Sequence, residues 1–221
     1  MNTPKEIHRI FLIADLSGYT ALTEAHGNIS AAKVVSRYVE MVQEVLDKDA
    51  RLAEKVGDEV LIVGTNAVSI IQMALNLCDK IENEPNFPSV HVAIHAGSVL
   101  KQDGQFFGST LNVASRVAAY ARACQILCTG AVIELITNKD NISYRQLGKV
   151  NLKNIIEPIS IFEIDPAHVR TIKLKPMSPI RFAGCSLNRT PLQRTCLIIT
   201  KITFFARLNV PKHLPVAQIN I

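Results

Sequence analysis

Two aspartates stand where an apolar run gives way to a turn. Asp15 follows the run Ile10-Phe11-Leu12-Ile13-Ala14, and Asp58 lies in the Gly57-Asp58 turn of RLAEKVGDEVLIV at 51–63. A carboxylate in such a place is a solvated turn residue, a helix cap or a metal ligand. The turn role is the commoner one for Asp58, and a cap on the helix opening near Tyr19 is an equal alternative for Asp15. Further along, Asn112 and Arg116 are one helical turn apart and can reach the same point in space. Lys153 sits in a loop between two strands. Asn112 and Arg116 could simply be a solvated polar face. Against that, Leu111, Val113, Ala114, Val117 and Ala118 surround them with apolar residues, and a guanidinium there calls for an assigned anionic partner. Two acids able to share a pair of divalent cations, with separate cationic groups, are equipment for phosphoryl chemistry on a nucleotide. The metals lower the pKa of an attacking hydroxyl and neutralise phosphate oxygens, while Arg and Lys hold the charge that builds in the transition state.

The elements that must position these residues follow from periodicity. Residues 6–14 read as a buried strand, and 30–46 as a helix with Val34, Val35, Tyr38, Val39, Val42, Val45 and Leu46 on one face. The stretch 51–63 reads as a hairpin whose tip is crowded by Glu54, Lys55, Asp58 and Glu59. A second amphipathic helix is expected over 66–82 and a strand over 90–100, where Val90, Val92 and Ile94 alternate with His91, Ala93 and His95. Two histidines on one strand face are more often structural than metal-ligating. A short strand at 105–107, a helix from 108 to about 123, a strand at 125–129, a short helix at 131–137 and strands at 142–152 and 159–164 complete the series. This order predicts an α/β (α+β) sandwich with a ferredoxin-like βαββαβ core and a mostly antiparallel sheet.

Composition limits the function classes. Of the 221 residues, 48% are hydrophobic and 19% charged, as in a soluble globular protein. No secretory pattern opens the chain and no run is long enough to span a bilayer, so a cytoplasmic setting is expected. The five cysteines are scattered and odd in number, which argues against a disulfide framework. The net charge of +5 is uneven: all 19 acids, with 15 of the 24 Lys and Arg, lie in residues 1–165. Residues 166–221 therefore form a basic, acid-free extension with six prolines dispersed through it. The expectation taken for it is poor order, or a non-native extension from a shifted reading frame; a membrane-surface arm, a nucleic-acid arm and a docking element are alternatives. Because the basic excess belongs to this tail alone, nucleic acid is not expected as a partner of the main domain.

Five segments in order resemble the class III adenylate/guanylate cyclase catalytic domain: FLIADLSGYTALTEAHG at 11–27, EKVGDEVLIV at 54–63, VAIHAGSV at 92–99, FFGSTLNVASRV at 106–117 and LGKVNLKNIIEPISIFEI at 147–164. The resemblance covers roughly residues 7–165. It implies that Asp15 and Asp58, with the carbonyl of Leu16, hold two Mg2+ or Mn2+ ions. It implies that Asn112 orients the ribose, that Arg116 stabilises the pentavalent phosphorus and that Lys153 contacts the phosphates. The implied reaction is attack of a 3′-hydroxyl on the α-phosphate of ATP or GTP, releasing pyrophosphate and a 3′,5′-cyclic nucleotide for intracellular signalling. The implied assembly is an antiparallel homodimer in which the aspartates of one chain face the Asn/Arg/Lys set of the other.

The base-reading positions depart from the family pattern. The residue four before the second metal aspartate, lysine in adenylate and glutamate in guanylate cyclases, is Glu54, with Lys55 beside it. A glutamate accepts from the N1–H and amino group of guanine, whereas adenine N1 is itself an acceptor. The second base position, seven before Asn112, is Gln105, whose amide could serve either base. A one-residue bend would present Lys55 in place of Glu54. Glu54 alone leans toward GTP or mixed use. A catalytically silent cyclase-like module that binds nucleotide or partners is the alternative function.

Overall fold

The apolar run at 10–14 becomes the spine of β1 (Lys5–Leu16), where Phe11, Leu12 and Ala14 are wholly buried. The computed structural model describes residues 5–136 and 142–165. After β1 come α1 (Tyr19–Val45), β2 (Ala50–Val56), β3 (Glu59–Gly64), α2 (Ala67–Asn83), β4 (Val90–Gln102) and β5 (Gln105–Phe107). Then follow α3 (Ser109–Tyr120), β6 (Ile126–Thr129), α4 (Gly130–Ile133), β7 (Tyr144–Val150) and β8 (Ile159–Ile164).

The strands form one sheet in the order β2-β3-β1-β4-β6-β8-β7, with β5 folded back on β4. The first four in that order are antiparallel throughout, and with α1 and α2 they make the expected βαββαβ core. Among the described residues, β4 with β6 is the one parallel pair. The alternation of a strand separates the two faces. Ile10, Leu12, Ala14 and Leu16 join a core beneath α1, α2 and α4, whereas Phe11 and Ile13 join a second core beneath α3. Fully burying one such side chain stabilises the fold by about 2 kcal/mol. Asp15 follows Ile13 in this alternation and therefore falls on the α3 face.

Local chemistry sets the element ends. The Asn66 side chain accepts from the Ser69 N–H at 3.0 Å and caps α2. The first helical turns and the 30–46 helix fuse into α1 across a kink at Gly27, where φ is 77°. The α3 helix stops at Tyr120, earlier than the periodicity suggests. There the Gln125 side chain accepts from the Arg122 N–H at 2.9 Å, and this turn, with Cys124 at φ 65°, replaces further helix. The helix expected over 131–137 shortens to the four residues of α4, and residue 137 lies outside the described residues. The expectations for 166–221 also lie outside them. No helix among the described residues is long and apolar enough to cross a membrane.

Candidate active site

The β2–β3 hairpin delivers Asp58 to the end of β1. Its turn holds Gly57 at φ 61°, a conformation that costs glycine nothing. Val56 pairs with Glu59 across the two-residue tip. The Asp15 and Asp58 side chains come together there, with the Leu16 backbone N–H beside the Asp15 carboxylate. Burial, the largest cause, raises both carboxyls above the usual range, and the neighbouring charge of Asp15 raises Asp58 further. Glu59 is raised too, by burial first and then by Asp58 and Glu54. This corner of the chain is an acid cluster held partly out of water.

The neighbouring cation is weak. His91 stands directly opposite Asp15 in the β1–β4 register, with Nε2 3.5 Å from Asp15 Oδ2. Its Nδ1 lies 3.2 Å from the Ser17 hydroxyl. Burial holds the imidazole below its ordinary pKa although Asp58 opposes this, so the contact joins a neutral ring to the acid pair. His95, four residues on, pairs instead with the Thr129 hydroxyl at 2.8 Å and is structural. The contact of His91 with Asp15 was not legible in the sequence, since it depends on a register between strands far apart in the chain. Alternation along 90–100 shows the face but not the partner.

Asn112 and Arg116 are carried by α3, whose seating is specific. The Thr110 hydroxyl donates to the Ser98 carbonyl at 2.6 Å. A Cβ at Gly97 would come within 2.7 Å of Thr110, so glycine permits this approach of helix to strand. Val113, Ala114, Val117 and Ala118 turn into the sheet, leaving Asn112 exposed and Arg116 partly exposed. The apolar neighbours thus anchor the helix and do not enclose the guanidinium. Arg116 has no hydrogen-bonding or ionic partner among the described residues. Lys153, exposed, lies in a turn anchored by buried Leu152, where Asn154 takes φ 64° and Ile155 N–H donates to Leu152 O. Leu152 and Ile155 belong to the α3-side core, so Lys153 issues from the same side of the sheet as Arg116. Neither cation pairs with Asp15 or Asp58.

The two base-position residues part company. A bulge between Leu52 and Glu54 sets Glu54 opposite Leu61, which packs in the α3-side core. Lys55 falls opposite Val60, which is buried under α1 and α2. Glu54 therefore shares a face with Asp15, and Lys55 does not. Gln105 pairs with Gln102 at the start of β5. The next residue, Phe106, packs edge-on against Phe11 in the α3-side core, so Gln105 points to the other side.

No third His, Cys, Asp or Glu completes a metal cluster with the two aspartates among the described residues. Two hard oxygen donors pressed together suit Mg2+ or Mn2+, which take one or two carboxylates and fill the shell with substrate phosphates and water.

The pH-sensitive adenylate cyclase of Mycobacterium tuberculosis is 25% identical over 161 residues, covering 72% of this chain and 41% of that protein. An adenylate cyclase of Streptomyces coelicolor is 31% identical over 129 residues, 58% of this chain and 34% of its own length. The chain thus spans less than half the length of these curated relatives. The fold matches that of the adenylyl cyclase CyaB from P. aeruginosa, with a TM-score of 0.64, 19% identity and coverage of 74% of this chain and 96% of that one. It also matches an adenylate/guanylate cyclase/hydrolase from Silicibacter pomeroyi, with a TM-score of 0.61, 22% identity and coverage of 73% and 98%. These two likenesses bear on the fold alone. The family model for the adenylate and guanylate cyclase catalytic domain matches residues 5–164. On that match, the chain belongs to the class III adenylate/guanylate cyclase family.

Proposed function

We propose that this chain is a purine nucleotide cyclase, a phosphorus–oxygen lyase that converts ATP or GTP to the 3′,5′-cyclic nucleotide and pyrophosphate. One observation carries the reading. The acid pair Asp15–Asp58 has no strong cation beside it, Arg116 and Lys153 have no acid beside them, and all issue on the α3 side of the sheet. Each half lacks its counter-charge. A divalent cation and a polyphosphate supply both, and a second copy of the chain brings the halves together in two equivalent sites.

Asp15, Asp58 and the Leu16 carbonyl would hold two Mg2+ or Mn2+ ions, whose chemistry is to acidify the 3′-hydroxyl and neutralise phosphate charge. Asn112 fixes the ribose. The Arg116 guanidinium donates to the α-phosphate oxygens as charge moves onto them, and Lys153 does the same for the departing phosphates. The 3′-oxygen bonds to the α-phosphorus as its proton passes to solvent. The bond from that phosphorus to the bridging oxygen breaks, and its electron pair leaves with pyrophosphate. Glu54 meets the base. The names of the relatives point to ATP, whereas the carboxylate of Glu54 favours GTP. The test is incubation of the full chain with ATP or GTP and Mn2+, with cyclic nucleotide and pyrophosphate quantified together. Absence of both products with either substrate, in a folded dimer, overturns the reading.

A further inference from the structure

We propose that Arg51 reads the N7/O6 edge of guanine beside Glu54, so that guanine is the base this site selects; the inference rests on the cyclase reading above. The β2 bulge creates the arrangement. Arg51 lies opposite Val63 and Glu54 opposite Leu61, two positions on one face of β3 that both pack toward α3. The extra residue, Ala53, is absorbed by the bulge. Ala53 itself packs on the α3-side core between them, so Arg51 and Glu54 flank it on one face, roughly 7 Å apart, the spacing of their partners Val63 and Leu61. Lys55 is turned to the opposite face. A purine laid along this face meets both residues with its hydrogen-bonding edges.

Neither group is already engaged with the other or with another charge of opposite sign. Glu54 is exposed, and no hydrogen bond holds it among the described residues. Arg51 makes one long contact, Nη2 to the Gly104 carbonyl at 3.4 Å, and no carboxylate pairs with it among the described residues. Its guanidinium is nonetheless placed. It lies over the Phe106 ring, 5.2 Å from the centroid, and Phe106 is itself fixed edge-on against fully buried Phe11. An arginine seated over a ring keeps its remaining N–H groups available as a planar fork.

The two residues discriminate in the same direction. Guanine offers N1–H and amino donors to the carboxylate, and O6 and N7 acceptors to the fork, the commonest specific contact of arginine with a base. Adenine presents an acceptor at N1 to Glu54, so that contact fails, and although it keeps N7 it places an amino donor at N6 where guanine has O6, so the two-bond contact with Arg51 cannot form. Gln105, on the other side of β5, does not compete for this edge.

The test is competition binding to the full chain with Mn2+, using 3′-deoxy-GTP, 3′-deoxy-ATP and 3′-deoxy-7-deaza-GTP, which cannot cyclise. The wild type should bind the guanine analogue about tenfold or more tightly than the adenine analogue. Arg51→Lys keeps the charge, and at an exposed position should leave the fold intact. It should weaken the guanine analogue about tenfold while leaving the adenine analogue within about twofold. Loss of N7 should cost the wild type several-fold and the Arg51→Lys variant nothing. Equal weakening of both bases by Arg51→Lys, indifference of the wild type to N7, or a preference for adenine would each overturn the assignment. Failure of the wild type to bind any of the triphosphates would overturn the cyclase reading itself.

Discussion

Asp15 at the end of β1 and Asp58 at the tip of the β2–β3 hairpin bring their carboxyls together. Burial, the largest cause, raises both above the ordinary carboxylate range, with the charge of Glu59 adding to it at Asp15 and the charge of Asp15 adding to it at Asp58. The sign follows by linkage: the folded chain binds more protons than the unfolded chain, so stability falls as pH rises through the raised values and stays low at neutral pH. Asp58→Asn should therefore raise, not lower, the Tm of the metal-free chain. The same variant should lose the Mn2+-dependent rise in Tm and all cyclase turnover. A metal-free Tm below that of the wild type would show that the pair is not strained, and an unchanged Mn2+ response would remove Asp58 from the metal site.

The division of charge between Asp15–Asp58 and Arg116–Lys153 makes a quantitative forecast. Asp58→Ala and Arg116→Ala should each be inactive alone. Mixed in equal amounts and allowed to exchange, they should recover about a quarter of wild-type activity. Half of the dimers are then mixed, and each mixed dimer has one intact site out of two. Sites complete within one chain would give no recovery at any mixing ratio.

Tyr38 offers a test of the core that does not involve the nucleotide. It is fully buried under the α1–α2 side, and its hydroxyl has no hydrogen-bond partner among the described residues. An unsatisfied buried hydroxyl costs roughly 1–3 kcal/mol. Tyr38→Phe should raise the urea midpoint with an unchanged m-value, by about 1 kcal/mol after the small void it leaves. A clear loss of stability would mean that the hydroxyl is bonded, through a buried water for instance.

Much of this architecture was legible because it is local. The alternation at 10–14 and 90–100, the helical period at 30–46 and the Gly57-Asp58 turn are written in neighbouring residues, and each became the expected element. The end of α3 was not, because the competing turn at Arg122–Gln125 depends on one side-chain cap. The choice between Glu54 and Lys55 was also closed to sequence reading. It is decided at a bulge whose position is set by Val60, Leu61 and Ile62 on the partner strand, where a one-residue slip exchanges the two faces. His91 was visible as a face but not as the neighbour of Asp15, for the same non-local reason.

His95 gives a pH dependence of the opposite sign to that of the acid pair. Its Nδ1 lies 2.8 Å from the Thr129 hydroxyl, and burial, with His8 adding to it, pushes the imidazole down to about 4. The unfolded chain takes up a proton on this residue near pH 6.5, whereas the folded chain does so only near 4. The stability contributed by the neutral ring is complete above the unfolded value and is lost as pH falls through this window, by at most about 1.4 kcal/mol per unit. With Asp58→Asn as the parent, to reduce the opposing slope, urea midpoints should fall between pH 6.5 and pH 4.5. Adding His95→Gln, which retains a side-chain partner for Thr129, should flatten that fall even if it lowers stability at pH 7.5. Parallel curves for the two variants would show that His95 is not the group whose protonation unfolds the chain.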